Sequence, residues 1–328
     1  GHNHCFGSRC VNNFCDTPRR RFLKQSGSLV SATGLVSANP AKSLSSTRPQ
    51  PGFSAGAAQR DVTPPVGMEI LHFYRNNVGV HDPLFVRALV IADATGKSAA
   101  LVTGDFLGAG FVCCDEIRTR VREKTGVDEV WFSASHTHSG RWLVSTPTPG
   151  RLYTDELEWD ELTEKGPIAE RPEELQWNNG VHQAIDEIVA EAQRHMVPVD
   201  LRAGWAAAQV GFNRRLAAAD GSIYMGVNRD GPIVPWVNVL SAHARDTGKP
   251  IAIYFEHAAH PVTVPHGSNL VSADFPGAAV RRIRKHLGDD VIALFGQGCS
   301  GNINSFPLRS THADADAAGH KLGEAVLQ

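Results

Sequence analysis

Two histidines one residue apart, His136 and His138, end an apolar, β-prone run (Val130-Trp131-Phe132) and open onto a Ser139-Gly140 turn. In an extended strand residues i and i+2 share a face, so both imidazoles are expected to reach one pocket. Imidazole serves zinc as a ligand and a polar substrate as a hydrogen-bonding group. A second cluster, Glu256-His257-Ala258-Ala259-His260-Pro261, follows the apolar run Ile251 to Phe255. Pro261 bars His260 from helix and leaves it on extended or turn backbone. Two strand ends that each deliver a histidine suit one shared cation. Such a site needs nitrogen ligands, a further oxygen ligand and an opening for water.

The elements around these clusters alternate between strand and helix. Phe53 to Pro65, Val80 to Ala92 and Ala99 to Asp105 read as strands, the last ending on an acid. Asp115 to Lys124 has helical spacing, with Ile117 and Val121 four apart, and leads into the Val130 strand. That strand–helix–strand unit ends at the histidines, where ligands commonly gather. Arg141 to Trp177 is acidic and proline-containing and reads as a long excursion near the site mouth. Val181 to Gln193 is an amphipathic helix, and His182 and His195 are expected to be solvated. Leu201 to Val210, Trp236 to Ala242, Ile251 to Phe255 and Asp290 to Phe295 complete the strands, with a hairpin turn at Asp246 to Lys249. The helix Pro276 to Leu287 carries Arg281, Arg282, Arg284 and Lys285, a charge run read as a solvated face. The expected fold class is α/β, a single mixed-sheet catalytic domain with helices packed on the sheet.

Composition narrows the function. The 328 residues are 42% hydrophobic and 20% charged with net charge −2, so there is no electrostatic footprint for nucleic acid. Arg19-Arg20-Arg21-Phe22-Leu23-Lys24 matches the twin-arginine export pattern, with Val36-Ser37-Ala38 as a small-residue cleavage site. The weakly apolar run between them is too short and polar to span a bilayer, so no transmembrane helix is expected to remain. Peripheral membrane contact is still allowed, and the expected location is periplasmic or extracellular. Residues 1–50 read as an N-terminal extension, this signal and a Ser/Pro-rich linker; residues 51–328 read as the catalytic domain. The six cysteines do not suggest a disulfide framework.

Several other residues need weighing. Gly298-Cys299-Ser300-Gly301 hints at a nucleophile elbow, but Asn302 stands where that motif requires glycine. Cys299 is read as a small packed residue. Asp105 and Asp274 could each orient a ligating histidine or cap a helix. Asp61 is read as structural, through a turn at Thr63-Pro64.

Taken together, the motifs resemble the neutral, non-lysosomal ceramidases and their bacterial relatives. The resemblance is carried by Ser135-His136-Thr137-His138-Ser139-Gly140, His260-Pro261 and Gly301-Asn302-Ile303-Asn304-Ser305. Arg60-Asp61-Val62-Thr63, Gly79-Val80-His81, Gly104-Asp105, Asn213-Arg214 and Ser272-Ala273-Asp274 support it in family order from about residue 54 to 306. It implies an exported zinc hydrolase of lipid metabolism that uses a metal-activated water to cleave the N-acyl amide of ceramide or a related lipid. His136 and His260 would hold the zinc, and His138 and Arg214 would contact the substrate. The family's further ligands, a Glu and a Tyr, cannot be placed before the sequence stops at Gln328 in a helix-like run, which reads as a truncated domain. Asn304 stands where the family's serine takes part in amide cleavage, and Ser305 lies one residue on, turned to the opposite face of an extended strand. That departure leaves open a non-catalytic binding domain, or a metallohydrolase for another ester, amide or glycan.

Overall fold

The computed structural model describes residues 52–70, 75–145, 171–265 and 267–328; the expected signal and linker, and most of the expected excursion, lie outside them. The first half of the chain supplies strands β1 (Phe53–Asp61), β2 (Phe85–Ala92), β3 (Ser98–Gly104), β4 (Glu129–Ala134) and β5 (Val197–Ala207). A hairpin, β6 (Gly211–Ala217) and β7 (Ile223–Asn228), follows. Then come β8 (Trp236–Ala244), β9 (Pro250–His257), β10 (Ile292–Gln297) and the short β11 (Ile303–Ser305). The helices are α1 (Phe111–Thr125), α2 (Pro172–Arg194), α3 (Asp274–Leu287) and α4 (His312–Leu327).

Eight strands form one mixed sheet in the order β10-β9-β8-β5-β1-β2-β3-β4. Its central pairs are antiparallel; only β3/β4 at one end and β9/β10 at the other are parallel. Parallel neighbours need a crossover, and α1 and α3 supply the two. The strand alternation then sorts side chains into layers. Val86, Ala88 and Val90 of β2 pack under α1 and α2, whereas Leu89 and Ile91 face the other way. Ile253 and Phe255 of β9 pack under α3 and α4, whereas Ala252 and Tyr254 face inward. Strand β10 also touches β1, β2, β3 and β4, none of which is its neighbour in the sheet. The sheet therefore folds over on itself, with the inner cluster between its halves and helices on both outer faces. Burying each large apolar chain is worth about 1.5–3 kcal/mol, so three stacked interfaces outweigh any single contact at the site.

Local chemistry explains the boundaries. The strand expected from Val80 to Ala92 is broken: Gly79–Val80 pairs with Leu270–Val271, and β2 begins after Pro83, which has no N–H to give a ladder. Helix α2 starts earlier than expected, at Pro172, with Glu173 and Glu174 in a first turn that favours negative charge. Its His182 is buried rather than solvated; Nε2–H donates to Val144 O at 2.7 Å, and burial lowers its pKa. In the charge run, Arg281 reaches Asp82 and Asp316 and Arg282 reaches Glu324, tying α3 to α4. Among the described residues, no helix is long and apolar enough to cross a membrane, and no cysteine forms a disulfide.

Candidate metal centre

Folding the sheet over brings the C-terminal ends of both parallel pairs to one place. Gln297 N, at the end of β10, donates to Ser133 Oγ on β4 at 3.3 Å, joining the two ends of the sheet. The histidines lie just beyond this seam.

Strand β4 stops at Ala134, so His136 and His138 are not on extended backbone as expected. His136 has φ 68°, a left-handed conformation that costs a non-glycine residue on the order of 1–3 kcal/mol. This kink, and not strand alternation, turns the two rings toward each other, edge to face at 5.0 Å between centroids. His136 N donates to Phe106 O at 2.9 Å, and Nδ1 meets Leu107 O. A carbonyl only accepts, so Nδ1 carries the proton and Nε2 keeps its lone pair.

His260 obeys the same logic from the other half of the sheet. Its backbone bridges to Asn304 on β11, and its Nδ1–H donates to Ser300 O at 2.7 Å and more weakly to Ile303 O at 3.3 Å. Burial, then electrostatic interaction with the nearby His136 and Arg214, pushes its pKa down to about 4. A neutral imidazole with its far nitrogen open is the form that ligates a metal. The ring centroids of His136 and His260 are 4.7 Å apart, and those of His138 and His260 6.0 Å. Ligand atoms of all three lie within 4.8 Å of one another, the one such group of three among the described residues. Three imidazole nitrogens facing one space are a donor set suited to a divalent transition-metal ion.

Strand β11 also brings in Arg214. It pairs with β6 through Gly211↔Ser305, Phe212↔Asn304 and Asn213↔Ile303. A Cβ on Gly211 would lie 2.2 Å from Asn304 O, so glycine is what lets the two backbones approach. Arg214 Nη1 then donates to Asn304 Oδ1 at 3.2 Å. Partial burial and neighbouring Arg215 lower its pKa, but a guanidinium stays charged. Asn304 and Ser305 diverge. Ser305 is buried away from Arg214, its Oγ accepting from Thr263 Oγ1 at 2.8 Å and Val262 N at 3.3 Å.

Of the acidic candidates, Asp105 and Asp274 orient no ligating histidine, while Asp61 behaves as expected. Asp105 touches no histidine and caps no helix; it accepts from Arg87 Nη1 at 2.9 Å and Phe85 N at 3.0 Å in a buried ion pair. Asp274 orients no imidazole either. It accepts from the backbone N–H of Thr263, Val264 and Phe275, and burial raises its pKa to about 6. Asp61 accepts from Thr63 N and Oγ1, the turn expected of it. Cys299 is exposed rather than packed. Sequence reasoning missed the carbonyls of Leu107 and Ser300 that set both tautomers, because any residue type offers a carbonyl.

The structure matches that of neutral ceramidase from Pseudomonas aeruginosa with a TM-score of 0.66 at 19% identity, over 85% of this chain and 44% of that one. A second structure, of a ceramidase complexed with C2, matches with a TM-score of 0.64 at 19% identity, again over 85% of this chain and 44% of the other. The chain thus spans less than half the length of the structures it matches. No family model matches the sequence, and no curated protein does. The fold of the described residues, an eight-stranded mixed sheet with four helices packed on it, is therefore similar to that of the neutral ceramidase structures.

Proposed function

We propose that the chain is a zinc-dependent hydrolase that cleaves the N-acyl amide of a ceramide-like lipid. The carrying observation is the convergence of His136, His138 and His260, from two distant strand ends, to within 4.8 Å. The likeness in fold to neutral ceramidases supports the same reading. His136 and His260 would hold the metal through Nε2, each fixed in the right tautomer by a backbone carbonyl. His138 stands within reach as a third nitrogen, and three imidazoles are a known donor set for catalytic zinc. Bound zinc supplies a Lewis acid and lowers the pKa of its water toward about 7.

The rest falls to the chain's own side chains. Arg214, held at Asn304, offers a fixed positive charge beside the histidines for a substrate carbonyl as it gains negative charge. Asn304 can orient through its amide but is a poor nucleophile. Ser305 is committed to Thr263 and Val262 and is assigned no chemical step. The twin-arginine run supports export, so the substrate would be met in the periplasm or outside the cell.

The test is metal analysis of the purified chain together with turnover of N-acylsphingosines of varied chain length. The expected result is about one zinc per chain and amide cleavage lost on chelation. Unchanged metal content in the His136→Ala, His260→Ala double variant would falsify the proposal. Metal binding without turnover of any amide would instead favour a binding domain.

A further inference from the structure

Ser272-Ala273-Asp274 lies between the two histidine loops and is bonded to both. On one side Thr137 Oγ1, between His136 and His138, donates to Ser272 O at 2.7 Å. Ser272 N donates back to Ser139 O at 3.1 Å. On the other side Thr263 N and Val264 N donate to Asp274 Oδ2 at 3.0 and 3.1 Å. Thr263 continues the chain to Ser305 Oγ, and Ser305 N donates to His260 O at 3.1 Å. Thr137, Thr263, Ser272, Asp274 and Ser305 are all at most 2% exposed, so water does not compete for these bonds.

The bridge itself is anchored. Ser272 Oγ donates to Asp82 Oδ2 at 2.6 Å, and Ala273 N to Asp82 Oδ1 at 2.9 Å. Phe275 packs edge-on against Phe295, which packs against Phe255, so the start of α3 is fastened into the outer core. Asp274 has φ 53°, a conformation rarely adopted by residues other than glycine, asparagine and aspartate. Strain of this kind persists only where surrounding contacts over-determine it, and it marks places where geometry matters.

We propose that Ser272–Asp274 is a clamp that sets the gap between the His136/His138 loop and the His260 loop, with Asp274 as the positioning residue of the metal centre. The proposal rests on reading the three histidines as a metal centre. Asp274 touches no imidazole; it acts through the backbone that carries His260. Its carboxylate accepts on both oxygens, from Phe275 N on one and from Thr263 and Val264 N on the other. An amide in its place must turn an NH2 toward one of these donors, whichever way it is flipped.

The test uses the full chain and Co2+ alone, whose visible absorption reports ligand number and geometry, with affinity measured by chelator competition. Asp274→Asn and Thr137→Val attack opposite arms of the clamp. Each is expected to weaken Co2+ binding by about 10- to 100-fold and to change the visible spectrum. Ile188→Ala, a core truncation in α2, is expected to lower the thermal midpoint and leave Co2+ affinity and spectrum alone. If Asp274→Asn does not fold, Thr137→Val decides the matter, since it keeps side-chain shape and removes only the hydroxyl's two bonds, to Ser272 O and from Ser139 N. Wild-type chain that binds no Co2+ overturns the metal reading and the clamp with it. Wild-type binding, with affinity and spectrum unchanged in the folded variants, overturns the clamp alone.

Discussion

The imidazole of His136 meets that of His260 edge-on, ring centroids 4.7 Å apart, although the two residues come from opposite ends of one sheet. Each ring has one nitrogen committed to a backbone carbonyl and the other left for the shared space. The proposed metal centre depends on that meeting. Four expectations beyond the zinc and clamp experiments follow from what surrounds it.

Removing the guanidinium beside Asn304 should cost catalysis and spare the metal. Arg214→Ala is expected to lower kcat/KM on an N-acyl substrate by about 10- to 150-fold, the loss of one charged hydrogen bond of about 1.5–3 kcal/mol. Zinc content measured on the same sample should not change. An unaltered kcat/KM would remove Arg214 from the substrate site.

The close approach of β6 to β11 makes Gly211 intolerant of a side chain. Gly211→Ala would place Cβ 2.2 Å from Asn304 O and force the strands apart. Overpacking of this kind costs about 1–3 kcal/mol, read from the urea midpoint. Gly204 on β5 meets nothing within 4 Å of a built Cβ, so Gly204→Ala should be close to neutral.

Asp105 is a structural acid by its contacts, and the experiment can tell this from a role at the metal. Its partner Arg87 is as buried as it is, each side chain 4% exposed. Asp105→Ala strands that charge and is expected to cost about 3–5 kcal/mol of unfolding free energy. Co2+ affinity of the folded fraction should match wild type; a large loss would restore Asp105 to the metal's surroundings.

Acid should destabilise the metal-free protein. His260 has its pKa lowered from 6.5 to about 4, so between those values the unfolded chain binds a proton that the folded chain refuses. Stability from this source is therefore lost as pH falls from about 6.5 toward about 4. Burial lowers His182 and His257 in the same direction. Asp274 works oppositely: raised from 3.8 to about 6, it contributes stability below 3.8 that is lost as pH rises through 6. His312 is lowered by burial as well, and four histidines against one carboxyl set the expected sign. Thermal midpoints in chelator should drop between pH 7 and pH 5, and a rise would contradict this balance.

Much of this was legible in residue order. Short continuous apolar runs located nearly every strand of the main sheet, because a strand covered on both faces must read that way whatever its neighbours are. Two histidines at one strand end and one past another pointed to a shared site, since chemistry of that kind gathers where parallel strands finish. The side-chain alternation that separates Asn304 from Ser305 follows from the pleat alone.

The remainder depended on which distant segments touch, and periodicity does not encode that. The doubling-over of the sheet, which delivers His260 to His136, follows from inner-face residues such as Leu89 and Leu294 finding cover in each other. His182 looked solvated by composition and is buried because α2 packs that face inward. Asp105 found Arg87, and Asp274 found the loop after Pro261, through sheet register and the docking of α3. The backbone carbonyls of Leu107 and Ser300, which accept from the two rings and hold both histidines in their tautomers, leave no trace in residue type at all. Local pattern thus named the reactive groups, while tertiary packing set their distances, because the free energy that brings them together is spread over cores in which they take no part.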